Sequence, residues 1–330
     1  MSIPATLSVA WLSRAAPHLV MAETLRTILL ACRTRGVSCV PLRGVALSEQ
    51  LYGDPLARRF GDVDLLVRKS ELSPIAEILR ALGYREIDRR RDFAREFSYT
   101  LEFFTMTPVP LVVEPHWSLA YPPFVERLDM QPVWQRCVPT HLLGVDTLQL
   151  SPEDCLLNLC LHLMHHRAAA PVQWLAEIDR LIRQQAEHFR WELVQETAFR
   201  AGVGRLAAQA LRRAHAAHAT PLPVGCLEAL EQARPGRASL AERISEQAGV
   251  EGRESLAMFF ALRGCRARWR YAWALLVPSA EFMRLHYGLA TRRQVGWWYL
   301  KRFGRLCLEA GKGLWQGLSG SLARRSSSAA

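Results

Sequence analysis

The chain has 330 residues, half of them hydrophobic and 22% charged, which excludes a disordered or fibrous protein and is long enough for two domains. Its net charge of +11 is uneven: from Glu251 onward 14 Lys and Arg stand against 4 Asp and Glu, so the last quarter carries nearly all the excess. No run reaches the roughly 18 apolar residues of a spanning helix, Met1 to Leu12 does not read as a secretory signal, and the eight cysteines form no Cys-x-x-Cys pair; a cytoplasmic protein with reduced thiols and no zinc knuckle is expected.

In chain order, residues 20–36 read as a helix stopped by Gly36. Val37 to Leu42 follows as a short buried strand, then Gly44, a helix over Val45 to Tyr52 and a turn at Gly53-Asp54-Pro55. Asp62 to Val67 is a second strand, and Ser70 to Leu82 is an amphipathic helix ended by Gly83. Phe97 to Phe104 and Leu111 to Trp117 are two further strand candidates, with Pro108 and Pro110 in the hairpin between them. This order predicts an α+β fold, a small mixed sheet with helices on one face. From Ser151 the character changes to helix after helix. Ser151 is the N-cap and Pro152 the first helical residue of that region. Breaks fall at His218 to Gly225 and Ala233 to Ala238. The expected organisation is a mixed domain over 1–150, a mostly α-helical region over 151–318 and a disordered tail over 319–330.

The chemistry concentrates on the second strand. Side chains alternate faces along a strand, so Asp62 and Asp64 point the same way while Val63 and Leu65 enter the core behind them. Two adjacent carboxylates repel unless a cation or proton lies between them. A divalent ion resolves this, and Mg²⁺ (or Mn²⁺) takes one or two carboxylates together with phosphate oxygens. Gly44 ends the preceding strand, where a turn or helix N-terminus offers N–H groups to a phosphate.

Taken as an ordered set, these segments resemble a known family. Leu42-Arg43-Gly44-Val45-Ala46-Leu47, Tyr52-Gly53-Asp54-Pro55, Arg58 and Gly61-Asp62-Val63-Asp64-Leu65-Leu66-Val67 are similar to the uncharacterised nucleotidyltransferases of the DNA polymerase β superfold. Gly83-Tyr84, Glu114-Pro115-His116-Trp117 and the segment Leu150 to His166 continue the match, which covers roughly Pro41 to Ile182. The resemblance implies that residues 1–150 are the catalytic domain and that a nucleoside monophosphate is transferred from an NTP to an acceptor. That acceptor is a small molecule, a carbohydrate or a protein. It implies Asp62, Asp64 and Glu114 as catalytic and metal-holding acids, and Arg43, Gly44, Val45 and Arg58 as nucleotide-binding residues. Three positions depart from the pattern. Val45 stands where the superfold has Ser or Gly, Arg43 where the family has Lys, and Glu114 where it has Asp. These departures motivate a second expectation, a catalytically impaired module that binds a nucleotide or a partner.

Other residues carry two readings each. Glu114 is the third acid or an edge-strand surface acid. His116 orients Glu114, touches the nucleotide or is structural. His162 and His166 share a helix face four residues apart, which reads first as packing against the catalytic domain or a polar contact at the interdomain cleft, with zinc-like spacing as the lesser reading. Trp297-Trp298-Tyr299-Leu300-Lys301-Arg302-Phe303 mixes aromatics with cations. It reads first as a packed face with a basic rim. A peripheral membrane contact or nucleic-acid binding is the lesser reading of this basic region.

Overall fold

The computed structural model describes residues 9–58, 60–87, 93–106, 109–166, 170–232, 240–246, 253–278, 280–289, 291, 293–305 and 307–308. Helix α1 (Val9–Thr34) buries Leu25, Ile28, Leu29 and Cys32, the i, i+3, i+4, i+7 stripe of one helix face. It ends where Gly36 takes a left-handed φ of 66° and the Val37 N–H turns back to the Cys32 carbonyl. Strand β1 (Cys39–Pro41), helix α2 (Gly44–Tyr52), strand β2 (Asp62–Val67) and helix α3 (Leu72–Ala81) follow. Next come β3 (Arg85–Glu86), α4 (Phe93–Phe97), β4 (Phe103–Thr105) and β5 (Leu111–His116).

These strands form one sheet in the order β1-β2-β5-β4-β3. The central pair β2 and β5 is parallel and every other pair is antiparallel. Along β2 the alternation is clean. Val63, Leu65 and Val67 join the core built with α1 and α3, whereas Leu66 joins a second core on the opposite face. Helices therefore cover both faces of the sheet, not one. Leu66, with Val40 and Leu42 of the neighbouring strand, demands burial on the far side as well. Fully burying side chains of this size contributes about 1.5–3 kcal/mol each.

The expected strand over Phe97 to Phe104 is only half present. Phe97 closes helix α4, and pairing begins at Phe103. Phe93 and Phe97 lie one turn apart and pack their rings together at 5.2 Å, with Tyr271 against both, so helical spacing wins there. Pro108 lies outside the described residues, as do Ala233 to Ala238 and the tail after Ser319. Helix α5 (Met130–Arg136) and the hairpin β6 (Val138–Leu142) and β7 (Val145–Gln149) complete the mixed half. That hairpin turns at Leu143 and Gly144, both at positive φ. Leu143 is an unusual residue there, which is why the turn left no mark in the sequence.

Helix α6 (Pro152–His166) starts as expected, the Asp154 N–H donating to Ser151 Oγ. It is buried on nearly every side, and α7 (Gln173–Gln185), α8 (Trp191–Ala201), α9 (Gly204–His218) and α10 (Cys226–Gln232) surround it. One core runs from α6 through Leu47 and Leu51 of α2 to Leu66 of the sheet. The chain continues through α11 (Leu240–Glu246), α12 (Arg253–Ala261), α13 (Cys265–Leu276), α14 (Ala280–Tyr287) and a helical stretch over 293–305. All eight cysteines are free thiols. Among the described residues no helix is long and apolar enough to cross a membrane.

Candidate active site

Parallel pairing of β2 with β5 sets the centre of the site. Asp64 lies directly opposite Glu114, and Leu66 opposite His116, so the acids of two strands meet on one face. The Asp64 carboxylate is buried and heavily engaged. Arg43 grips it as a fork, Nε 2.9 Å from Oδ2 and Nη2 2.9 Å from Oδ1. His116 Nε2 stands 3.0 Å from the same Oδ1 and 3.5 Å from Glu114 Oε2. Ligand atoms of Asp64, Glu114 and His116 all lie within 4.8 Å of one another, a spacing that one ion can bridge. Asp62 falls one pleat before this cluster, half-buried at the mouth of the adjoining cleft.

The charges at this edge are unequal. Burial raises Asp64, yet the Arg43 guanidinium and the His116 contact outweigh it and hold that carboxyl well below the usual range. Burial and then the neighbouring Asp64 push Asp62 up to about 6. Burial, Asp64, Glu102 and Asp62 together push Glu114 up to about 8. The cluster thus holds one firmly ionised acid and two whose hold on a proton is strengthened for want of a counter-charge. Carboxylate oxygens with one imidazole are a donor set that could hold a divalent ion.

Beside the carboxylates, α2 begins at Gly44 with φ 56°, a left-handed conformation that a side chain would strain. A Cβ there would meet only ordinary contacts, the nearest at 3.6 Å, so backbone conformation rather than space selects glycine. The first N–H groups of a nine-residue helix, from Gly44 and Val45, stand at this turn, and Gly44 itself lines the adjoining cleft. Arg58 lies at the cleft beside Gly44 and Asp62, and its guanidinium is already engaged by the protein itself. Its guanidinium is buried against Glu177 of α7, Nε to Oε1 at 2.6 Å and Nη2 to Oε2 at 3.3 Å, and Nη1 reaches the Gly44 carbonyl at 3.5 Å. It therefore ties the glycine turn to the helical half.

A cleft of about 590 Å³ opens over this edge, lined by Arg43, Gly44, Asp62 and Asp64 on one side and by His162, His166 and Trp174 on the other. Its size is that of a small-ligand pocket. Trp174 packs its ring 4.2 Å from His162 and 5.3 Å from His166, and the two imidazoles are 4.7 Å apart. Burial and then Arg43 drive His162 well below the usual histidine value, so its ring is neutral. The two histidines thus pack against a tryptophan, and among the described residues they belong to no cluster of three metal-ligating side chains. Three site residues escaped the sequence reading: Trp174, Glu177 and Asn158, whose Oδ1 accepts from Arg43 Nη1 at 3.2 Å. All three sit on helices with no local motif, and only the long-range packing of α6 and α7 brings them to the sheet.

A family model described as "Uncharacterised nucleotidyltransferase" matches residues 2–218. No curated protein matches the chain. The solution structure of the antibiotic-resistance factor ANT(2'')-Ia is similar at 17% identity and a TM-score of 0.40, over 61% of this chain and 100% of that one. A crystal structure of ANT(2'')-Ia with adenylyl-2''-tobramycin matches at 17% identity and a TM-score of 0.39, over 56% and 97%. An antigenic nucleotidyltransferase-like protein from Paracoccidioides brasiliensis matches at 15% identity and a TM-score of 0.35, over 64% and 92%.

Proposed function

The chain belongs to the uncharacterised nucleotidyltransferase family, and from that premise we propose that it transfers a nucleoside monophosphate from an NTP to an acceptor, releasing pyrophosphate. The observation that carries this reading is the register of β2 on β5, which brings Asp64, Glu114 and His116 together beside the Gly44 turn. Asp62, Asp64 and Glu114 would hold the divalent ion, with His116 as orienting neighbour or fourth donor. Bound there, Mg²⁺ or Mn²⁺ would neutralise phosphate charge and lower the cost of forming the attacking and leaving oxygens.

The remaining roles belong to the chain's own residues. The N–H groups of Gly44 and Val45 and the positive end of α2 hold a phosphate. Arg43 exchanges the Asp64 carboxylate for the triphosphate, a second anionic partner that its planar fork fits equally well. With its own proton displaced by a bound ion, the Glu114 carboxylate would assist the acceptor hydroxyl as general base. The acceptor oxygen then bonds to the α-phosphorus as the bond to pyrophosphate breaks. Trp174 and the neutral His162 provide an apolar ring wall for the nucleobase.

Purified protein with Mg²⁺, a panel of labelled NTPs and small-molecule, carbohydrate and protein acceptors should release pyrophosphate. The Asp62→Ala/Asp64→Ala variant should release none, and equal turnover in that variant would sink the reading. One observation favours a second function, a nucleotide-responsive module without turnover: Arg43 already neutralises Asp64, and Val45 supplies no hydroxyl to the phosphate turn. Calorimetric binding of Mg²⁺–NTP without pyrophosphate release from any acceptor would select it.

A further inference from the structure

The helical stretch over 293–305 is amphipathic in an inverted sense. Its inward face is well packed. Val295 joins a small core with Met283 and Leu289, Trp298 stacks on Tyr287 at 4.4 Å, and Arg302 donates from Nε to the Leu275 carbonyl and from Nη1 to Tyr287 Oη. The Tyr299 hydroxyl donates to the Pro278 carbonyl on the same side. A helix so satisfied on one side should present polar residues on the other. Instead Trp297 is 58% exposed and Leu300 67%. Leu308 is equally bare. Phe303 is exposed at its edge. Exposed Arg293 and Lys301 flank the stripe, the Lys301 ammonium lying 5.7 Å from the Trp297 ring centroid.

Helix α13 repeats the pattern. Trp269 and Trp273, one turn apart and 67% and 55% exposed, stack on each other at 6.2 Å, and exposed Val277 continues the stripe. Exposed Arg263 and Arg266 stand at the start of that stripe. Neither α13 nor residues 293–305 contains an acidic residue, and the last quarter of the chain carries an excess of ten positive charges.

From these two stripes we propose that the C-terminal helices dock this protein on an anionic lipid surface. Tryptophan prefers the headgroup boundary of a bilayer, where its ring is buried and its N–H stays hydrated. Leucine and phenylalanine enter the acyl edge, and flanking Arg and Lys meet anionic headgroups. Single-stranded nucleic acid rewards the cations and the aromatic rings but gives Leu300 and Leu308 nothing to stack on. The stripes lie flat on the membrane rather than crossing it, since no helix among the described residues is long and apolar enough to span. This docking does not depend on the transferase reading above.

The test is sedimentation of the full chain with vesicles of phosphatidylcholine alone and of phosphatidylcholine mixed with phosphatidylglycerol. Binding should be stronger to the anionic vesicles by on the order of tenfold and should weaken with salt. Trp297→Ser/Leu300→Ser and Trp269→Ser/Trp273→Ser alter only exposed positions. Each should lower anionic-vesicle binding by on the order of tenfold, with unchanged circular dichroism. Failure of the wild-type chain to sediment with anionic vesicles at low salt overturns the proposal. So does binding that persists in both double variants. A lipid-free dimer that either double variant dissociates would make the face a contact between two copies. RNA binding lost in the same variants, with no vesicle binding, would make it a nucleic-acid surface.

Discussion

The Arg58–Glu177 pair offers a measurement that separates a structural cation from a phosphate-binding one. Both side chains are buried, 7% and 1% exposed, and joined through two contacts of 2.6 and 3.3 Å. Removing one partner strands the other in a poorly solvated site, a loss of about 3–5 kcal/mol for each single variant. The two losses should respond differently to pH. Arg58→Met leaves Glu177, whose carboxyl burial already raises and which Arg58 alone draws back down. Without Arg58 that carboxyl rises further in the folded state. An acid with a raised folded pKa stabilises the fold at low pH and loses that contribution as pH climbs. The Arg58→Met deficit should therefore shrink as pH falls from about 8 to about 5. Glu177→Gln leaves a permanently charged guanidinium and removes the raised carboxyl that favours the wild type at low pH, so its deficit should not shrink as pH falls over that range. Arg58→Met/Glu177→Leu, which removes both charges and keeps the volume, should unfold within about 1 kcal/mol of the wild type. Urea unfolding followed by tryptophan fluorescence gives all four values. A double variant as unstable as the two singles combined, or equal pH profiles for the singles, would refute the argument.

Other outcomes follow from the same geometry. Gly44→Ala forces a Cβ into a left-handed backbone and should cost about 1–2 kcal/mol in urea unfolding; unchanged stability would mean the turn relaxes. Because Asp62 and Glu114 sit near 6 and 8, the metal-free chain should lose stability as pH rises from about 4 to about 8, each acid giving up a proton the fold had kept. Protons compete with the ion for the same oxygens, so the rise in melting temperature on adding Mg²⁺ should grow from pH 6 to pH 8. A shift that is flat with pH would remove those two acids from the metal site. Trp174→Ala should weaken Mg²⁺–NTP binding by about 5- to 100-fold through lost base stacking, while inorganic tripolyphosphate binds as before. Equal loss for both ligands would move the base elsewhere, and no binding of either by the wild type would count against the transferase reading itself.

How much was legible depended on how local the cause was. Strand β2 spans the residues expected of it because aliphatic residues alternate with the aspartates over 62–65 and the aliphatic run continues to Val67. The Ser151 cap and the Gly36 stop were visible for the same reason, since their partners lie within five residues. Phe97 misled because an aromatic at a segment edge fits helix and strand alike, and only Tyr271, far along the chain, decides it. The carboxylate site was half readable. Asp62 and Asp64 announce themselves by spacing, but the tighter cluster is Asp64, Glu114 and His116, which depends on a parallel pairing across 50 residues. Arg58 was expected at a phosphate because it precedes the aspartates at the spacing of the family it resembles, whereas the Glu177 carboxylate it also meets lies 119 positions away and leaves no local mark.

Helix α6 has a consequence beyond stability. It carries Asn158 and His162 to the sheet edge, and its core continues without a break into Leu47, Leu51 and Leu66. The span from the Gly44 turn to the Trp174 ring is thus set by close-packed side chains, not by a swinging linker. Such a cleft is a fixed gauge. It favours molecules whose two ends arrive together and gives little to shorter ones that reach a single end. A nucleoside diphosphate, a phosphate short of touching both, should therefore bind far more weakly than its missing charge alone would account for.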